Sequence, residues 1–296
     1  MGGRYAAQRR APWVLMAPFL ALFALTFVAP IAMAIWQSFV AVDREGLFGE
    51  AGATSRFAGL DNYARALSAG FVASIGRILL FAVVQVPVMI VLATALALLL
   101  QSAAARWPQF FRVSYFLPYG VPGVIATILW SFLYVPGLSP IVDVASALGI
   151  DVDFLAPDTV LWSIANIVTW TYTGYNMLII VAQLSAIPKD VYEAARIDGA
   201  GAWRVVTSIQ LPLIRPALVL ATVFSLIGTL QLFAEPQIMQ DVANAIDSEY
   251  TPNLAAYTNA FTYNDYGVAS AQATLIALVT FALSFLFLRL TREKAS

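Results

Sequence analysis

Charged residues cut this chain into six uncharged stretches: Ala11–Val42, Ile78–Ala105, Val113–Val142, Thr159–Pro188, Pro216–Ala234 and Tyr266–Leu288. Each reaches roughly 19 residues or more, enough for a helix to cross about 30 Å of hydrocarbon. Lipid offers no partner to a backbone N–H or C=O, so a spanning segment must satisfy its own hydrogen bonds as a helix or a closed barrel. The short alternating strands of a barrel are not seen. The expectation is an all-α polytopic membrane protein with six transmembrane helices, one membrane domain over residues 1–296, and both termini on the same side. The first stretch follows several arginines, as a signal peptide would, but it is too long for the apolar core of one. It is read as the first span, kinked at Pro18 and Pro30.

Lys and Arg set the orientation. Twelve of the sixteen basic residues fall in the segments that hold the termini, in or next to the turn Gln101–Phe111 (Arg106 and Arg112), and in the connector after the fourth span. Only Arg44, Arg56, Arg65 and Arg77 fall on the other side, with most of the acids. The first set is therefore cytoplasmic. The overall charge of −1 hides about +8 inside and −9 outside.

The chain has no Cys and no His, which removes disulfides, thiolate metal sites, Ser-His-Asp triads and HExxH centres. Its two lysines, Lys189 and Lys294, follow no Gly-rich loop, so a phosphate-cradling loop is absent. If ATP is used, another chain must bind it. No cofactor is expected on this chain, and lipid rather than nucleic acid is the expected environment. No span carries a central ionisable residue, as an ion-coupled carrier usually needs; Glu235 ends the fifth. A secondary sugar transporter and a non-transporting membrane scaffold are the two rival readings.

Between the fourth and fifth spans lies a polar island, Pro188 to Pro216. Pro188 suits a helix start. Lys189–Asp198 has no internal Gly or Pro, and Gly199 suits a left-handed stop. A second short helix, Ala202–Gln210, is expected to end at Leu211-Pro212. Glu193-Ala194-Ala195, Gly199, Ile209, Leu211 and Pro212 stand at the spacing of the cytoplasmic "EAA loop" of bacterial ABC importer permeases, which this segment resembles. The flanks, including Ile197-Asp198-Gly199-Ala200, look like the carbohydrate branch of that family. So do Phe57–Tyr63, Tyr115–Pro118, Pro122-Gly123 and Tyr263–Ser270.

That resemblance, to the first permease of maltose and glycerol-3-phosphate type systems, implies much that the residues alone do not. It implies a coupling loop over 186–215 that docks on an ATPase through Glu193, Ala194, Ala195, Asp198, Gly199, Ile209, Leu211 and Pro212. It implies a second permease, an ATPase dimer holding ATP and Mg, an extracytoplasmic sugar-binding protein, and residence in the bacterial plasma membrane. Without the resemblance, the same segment reads as a surface connector, with Glu193 solvated or weakly paired to Lys189 or Arg196.

Polar residues crowd two spans. Asn166, Trp170, Thr171, Tyr172, Tyr175 and Asn176 lie in the fourth; Ser225, Thr229 and Gln231 lie in the fifth, while Gln85 and Gln272 stand alone. Such groups can simply bond helix to helix. Ser225, Gly228, Thr229 and Leu232 recur at i, i+3, i+4 and i+7, one helix face, and Tyr172 and Tyr175 can share another. Aromatic surface beside hydroxyls suits a sugar. By position relative to Glu193, these six match the places where the maltose-type permease holds its sugar, although residue types differ at Tyr172 and Gly228. An oligosaccharide is the first expectation for the ligand, and a polyol or glycerol phosphate the second.

Overall fold

The structure is a computed structural model that describes residues 2–44, 53–102, 106–150 and 152–292. Parts of segment 43–77 and of the turn after Gln101, and the C-terminal Glu293 and Lys294, lie outside the described residues. The chain divides into two compact units. One is Met1–Ser68 with Ala255–Ala277; the other is Ala69–Leu254 with Leu278–Ser296.

In the first unit, helix α1 (Gly2–Phe23) passes through a π turn, Ala24–Val28, into α2 (Ala29–Ser38). The π turn closes with the Ala29 amide on the Ala24 carbonyl, one residue ahead of Pro30. A proline lacks an amide and crowds the preceding turn, so a wider turn just before it lets the helix run on. Strand β1 (Val40–Arg44) then pairs antiparallel with β2 (Ala53–Phe57), Val40 opposite Phe57. This hairpin was not expected; it is the one sheet among the described residues.

Helix α3 (Asp61–Ala66) follows. It ties the hairpin to α2: buried Asn62 donates from Nδ2 to the Ser38 and Val40 carbonyls at 3.0 and 2.9 Å. The Tyr63 hydroxyl meets Ser38 Oγ at 2.7 Å. Helix α13 (Pro252–Phe261) begins in the other unit, and α14 (Tyr266–Arg292) continues into it. Arg65 is ion-paired with Asp265, just before α14. A Cβ on Gly267 would stand 2.7 Å from both Asn62 Nδ2 and the Val40 carbonyl, so only glycine fits there.

The second unit is built on α4 (Ala69–Gln101), which packs along α8 (Val160–Ser185), with α11 (Leu211–Leu230) against both. One core cluster gathers Phe81, Ile164, Ile167, Leu230 and Met239; another gathers Ala93, Ala97, Met177, Ile180 and Ile214. Buried alanines on α4 let the helix axes close up where lipid supplies no hydrophobic drive.

The third uncharged stretch is not one straight helix. Helix α5 (Pro108–Phe116), a 3₁₀ turn (Leu117–Gly120) and α6 (Gly123–Tyr134) form a pair bent by 93°. Pro118 and Pro122 bracket the bend; a proline disfavours helical backbone at the residue before it, and Val121 is extended. Helix α7 (Pro140–Ala147) follows, its start capped by Ser139 Oγ accepting from the Val142 amide.

Among the described residues, four helical segments are long and apolar enough to cross a membrane, Pro12–Ser38, Ala69–Gln101, Ala202–Met239 and Tyr266–Thr291, and the bent pair makes a fifth if counted as one span. Helix α8 has 26 residues, enough in length, but its polar residues keep it out of that set.

Candidate functional site

The polar island folds as α9 (Lys189–Ile197), a glycine turn and α10 (Ala202–Val205). The turn closes with the Ala200 amide on the Ala195 carbonyl at 2.9 Å and the Gly199 amide on the Arg196 carbonyl at 3.1 Å. This paired closure needs a left-handed residue, and Gly199 supplies it at φ +71°. The end of the second helix differs from expectation. Leu211-Pro212 does not stop it: α10 runs through a π turn, Val206–Gln210, directly into α11. The Leu211 amide bonds the Val206 carbonyl one residue ahead of Pro212, the same device seen before Pro30. The second half of the loop is thus an unbroken extension of α11.

Inward from α9, Tyr192 and Val191 pack on the cluster that holds Ile187 and Ile214, and Ala195 is buried. Gln210 donates to the Tyr192 hydroxyl at 3.4 Å. Ile209 and Leu211 are half-buried. Outward, Glu193, Ala194, Asp198, Gly199 and Pro212 are exposed, and Glu193 is paired with neither Lys189 nor Arg196. Two large apolar side chains join this outward set: Ile197 is 87% exposed and Trp203 79%. Ile197 belongs with the candidates although it is absent from the coupling residues expected above; its signal is an apolar residue next to the helix-ending Asp198-Gly199.

The second site is a cavity of about 510 Å³ between α8, α11 and the bent pair. All six residues expected for the ligand, Tyr172, Tyr175, Ser225, Gly228, Thr229 and Leu232, line it. Tyr172 and Tyr175 share one face of α8 as expected. A Cβ on Gly228 would meet nothing within 4 Å, so that residue does leave open space. Leu232 reaches the wall differently from expectation: α11 ends at Leu230, where Gln231 and Leu232 amides turn back to the Gly228 and Thr229 carbonyls at 3.1 Å. The break leads into α12 (Ala234–Met239), and it carries Glu235 into the cavity wall rather than out of the span.

Tyr119, in the 3₁₀ turn, is the main residue that sequence reasoning misses. Its ring stacks on Tyr175 at 4.8 Å and 19° and meets Tyr172 edge-on at 5.8 Å. Gly174 makes this approach possible: a Cβ there would lie 1.8 Å from the Tyr115 carbonyl oxygen, so α5 can cross α8 only over glycine.

Several of the polar candidates are already engaged. Thr229 Oγ1 donates to Gln85 Oε1 at 3.3 Å, and Gln85 Nε2 donates to Thr169 Oγ1 at 3.3 Å. Ser225 Oγ donates to Asn176 Oδ1 at 3.3 Å, and Asn176 Nδ2 donates to the Tyr172 carbonyl at 3.1 Å. These bonds join α4, α8 and α11 behind the aromatic wall. The three tyrosines, Gln231 and Glu235 are left as the polar face toward the cavity.

Comparison with known proteins places this architecture. The chain is 30% identical to the lactose transport system permease protein of Rhizobium radiobacter over 95% of its length and 94% of the relative's. It is 28% identical to the trehalose transport system permease protein of Mycobacterium tuberculosis, covering 97% and 91%. With the sn-glycerol-3-phosphate transport system permease protein of Agrobacterium fabrum it shares 29%, covering 96% and 95%. Its fold matches a chain of a bacterial ABC transporter that imports the acidic polysaccharide alginate, at a TM-score of 0.82, 19% identity and 98% coverage of both chains. Residues 89–293, which hold both the exposed loop and the cavity, match the model of one family. The chain belongs to the family of binding-protein-dependent transport system inner membrane components.

Proposed function

We propose that this chain is the permease subunit of an ATP-driven importer for a sugar, an oligosaccharide by preference, with the tyrosine-walled cavity as part of the path. The carrying observation is that three aromatic rings, open space beside Gly228 and polar groups from two helices converge on one cavity of about 510 Å³. Saccharides present apolar C–H faces and a rim of hydroxyls, and this wall offers a partner to each. The lactose and trehalose systems named for two relatives support a sugar as cargo.

In this reading the chain forms one transmembrane domain of six spans. The polar helix α8 serves as the fourth, shielded by its neighbours, and the bent pair as the third. The termini and the loop 186–215 face the cytoplasm of a bacterial cell, as the Lys and Arg asymmetry favours. Glu193, Ala194, Asp198, Gly199, Pro212, Ile197 and Trp203 form the outward surface that seats in an ATPase subunit, while Ala195, Ile209 and Leu211 hold that surface on α11. Because α10 continues into α11, and α11 lines the cavity, movement of the loop is transmitted along one helix to the sugar site. ATP and Mg belong to the ATPase chain, and this chain performs no hydrolysis.

A second permease completes the path, and an external binding protein delivers the sugar; one structural neighbour was solved with an alginate pentasaccharide-bound periplasmic protein. Binding protein and ATP drive alternating access only because each favours one conformation over the other. Reconstitution in proteoliposomes tests the reading. ATP-dependent sugar uptake that requires the ATPase and a second permease supports it. Uptake driven by an ion gradient without an ATPase, or by this chain alone, refutes it.

A further inference from the structure

We propose that Glu235 sets the charge selectivity of the cavity, so that the saccharide admitted is neutral or amine-bearing and an acidic one is rejected. The inference rests on the cavity being the sugar path.

Among the described residues, Glu235 is the sole Asp, Glu, Lys or Arg in the cavity wall. It arrives there because α11 stops at Leu230 and the short break turns the chain inward before α12. Among the described residues, no cation stands beside it in the wall. The chain has no His, and no Lys or Arg lines the cavity. Arg77, the basic residue at the start of α4, is committed elsewhere: Nη1 donates to the Tyr250 carbonyl at 2.7 Å and its guanidinium lies 4.3 Å from the Tyr250 ring centroid. The amide of Asn176 is taken up by Ser225 and by the Tyr172 carbonyl.

A uronate, sulfonate or phosphate sugar would therefore bring a second negative charge beside a carboxylate, in a partly dry site, with no countercharge. Like charges at such range repel strongly once water is thinned. A neutral sugar meets the opposite situation. Its hydroxyls donate to the carboxylate, and such charge-assisted bonds are the stronger kind. A protonated amino sugar adds an ion pair. The tyrosine hydroxyls both donate and accept, so they do not discriminate by charge.

The experiment is equilibrium binding of labelled dimers to the purified importer complex in nanodiscs with the external binding protein left out, so that only the membrane subunits select. The probes are lactose and trehalose, a glucosamine dimer and a galacturonate dimer. The expected result is binding of a neutral or amino dimer, with the galacturonate dimer weaker by about tenfold or more. Glu235→Gln should weaken the favoured dimer and strengthen the acidic one, and Glu235→Lys should extend that reversal. A purely structural role for Glu235 at the start of α12 would weaken all probes alike, and that outcome overturns the inference. Equal or tighter binding of the galacturonate dimer by the unmodified complex also overturns it. In either case a loss of neutral-dimer binding in Tyr175→Ala leaves the cavity reading standing. If no dimer binds, the saccharide reading falls and this inference falls with it.

Discussion

Tyr119 stacks on Tyr175 at 4.8 Å with their planes 19° apart, and so couples the bent pair α5–α6 to α8 at the cavity wall. An aromatic pair of this kind contributes roughly 0.5–1.5 kcal/mol beyond burial. Tyr119→Ala and Tyr175→Ala are each expected to lower sugar uptake by up to about tenfold. Association with the ATPase should be unchanged, because neither ring is near the exposed loop. Parallel uptake and co-purification assays check this, and unchanged uptake in the double variant removes the wall from the sugar path.

The stack depends on a residue outside the cavity. Gly174→Ala puts a methyl group where the Tyr115 carbonyl oxygen lies 1.8 Å away, so α5 must shift off α8. Such overpacking costs about 1–3 kcal/mol. Gly228→Ala places its methyl in open space and should leave stability unchanged while narrowing the cavity. Thermal unfolding of the detergent-solubilised complex should separate them: a clear drop for Gly174→Ala and none for Gly228→Ala. Equal melting of the two would contradict the close crossing.

Coupling is tested at the loop. Glu193→Lys reverses an exposed, unpaired charge without touching the spans. Gly199→Val forces a β-branched residue to φ +71°, at about 1–2 kcal/mol or more. Ile197→Asp removes the most exposed apolar side chain on α9. All three variants should insert normally yet lose ATPase co-purification and transport. Full co-purification of all three would dismiss the loop as the docking surface.

The loop was legible because its determinants are local. A proline start, a glycine at the left-handed position and the Glu193-Ala194-Ala195 spacing act within one short segment, and α9 and its turn form as expected. Tyr172 and Tyr175 on α8, and Ser225, Gly228 and Thr229 on α11, are legible by helical spacing, which the fold preserves; Leu232 lies past the end of α11 and reaches the wall through the break. Tyr119 was not, because an uncharged run gives no sign of a 93° bend except Pro118 and Pro122 on either side of it. Prolines were over-read at Leu211-Pro212, where a π turn absorbs the clash and the helix continues. The β1–β2 hairpin pairs across residues 45–52, and nothing in its short strands separates it from loop. Glu235 reads as the end of a span in the sequence because no Gly or Pro marks the break between Leu230 and Ala234.

Thr229 shows how a ligand candidate can be a structural residue first. The residue is 3% exposed, and its hydroxyl donates to Oε1 of Gln85, which sits on α4 and is itself buried. Thr229→Val keeps the shape but leaves that oxygen without its donor. An unpaired buried acceptor costs about 1–3 kcal/mol, more than the bond itself contributes. Gln85→Leu removes the acceptor, and with it the penalty. Thr229→Val should therefore lower the thermal stability of the complex. Gln85→Leu combined with Thr229→Val should be more stable than the two single losses predict, because contacting partners are not additive. If the hydroxyl instead served the sugar directly, Thr229→Val would reduce uptake with stability intact, and the double variant would recover nothing. Measuring unfolding and uptake for both single variants and the double decides between a helix-joining bond and a ligand contact at this position.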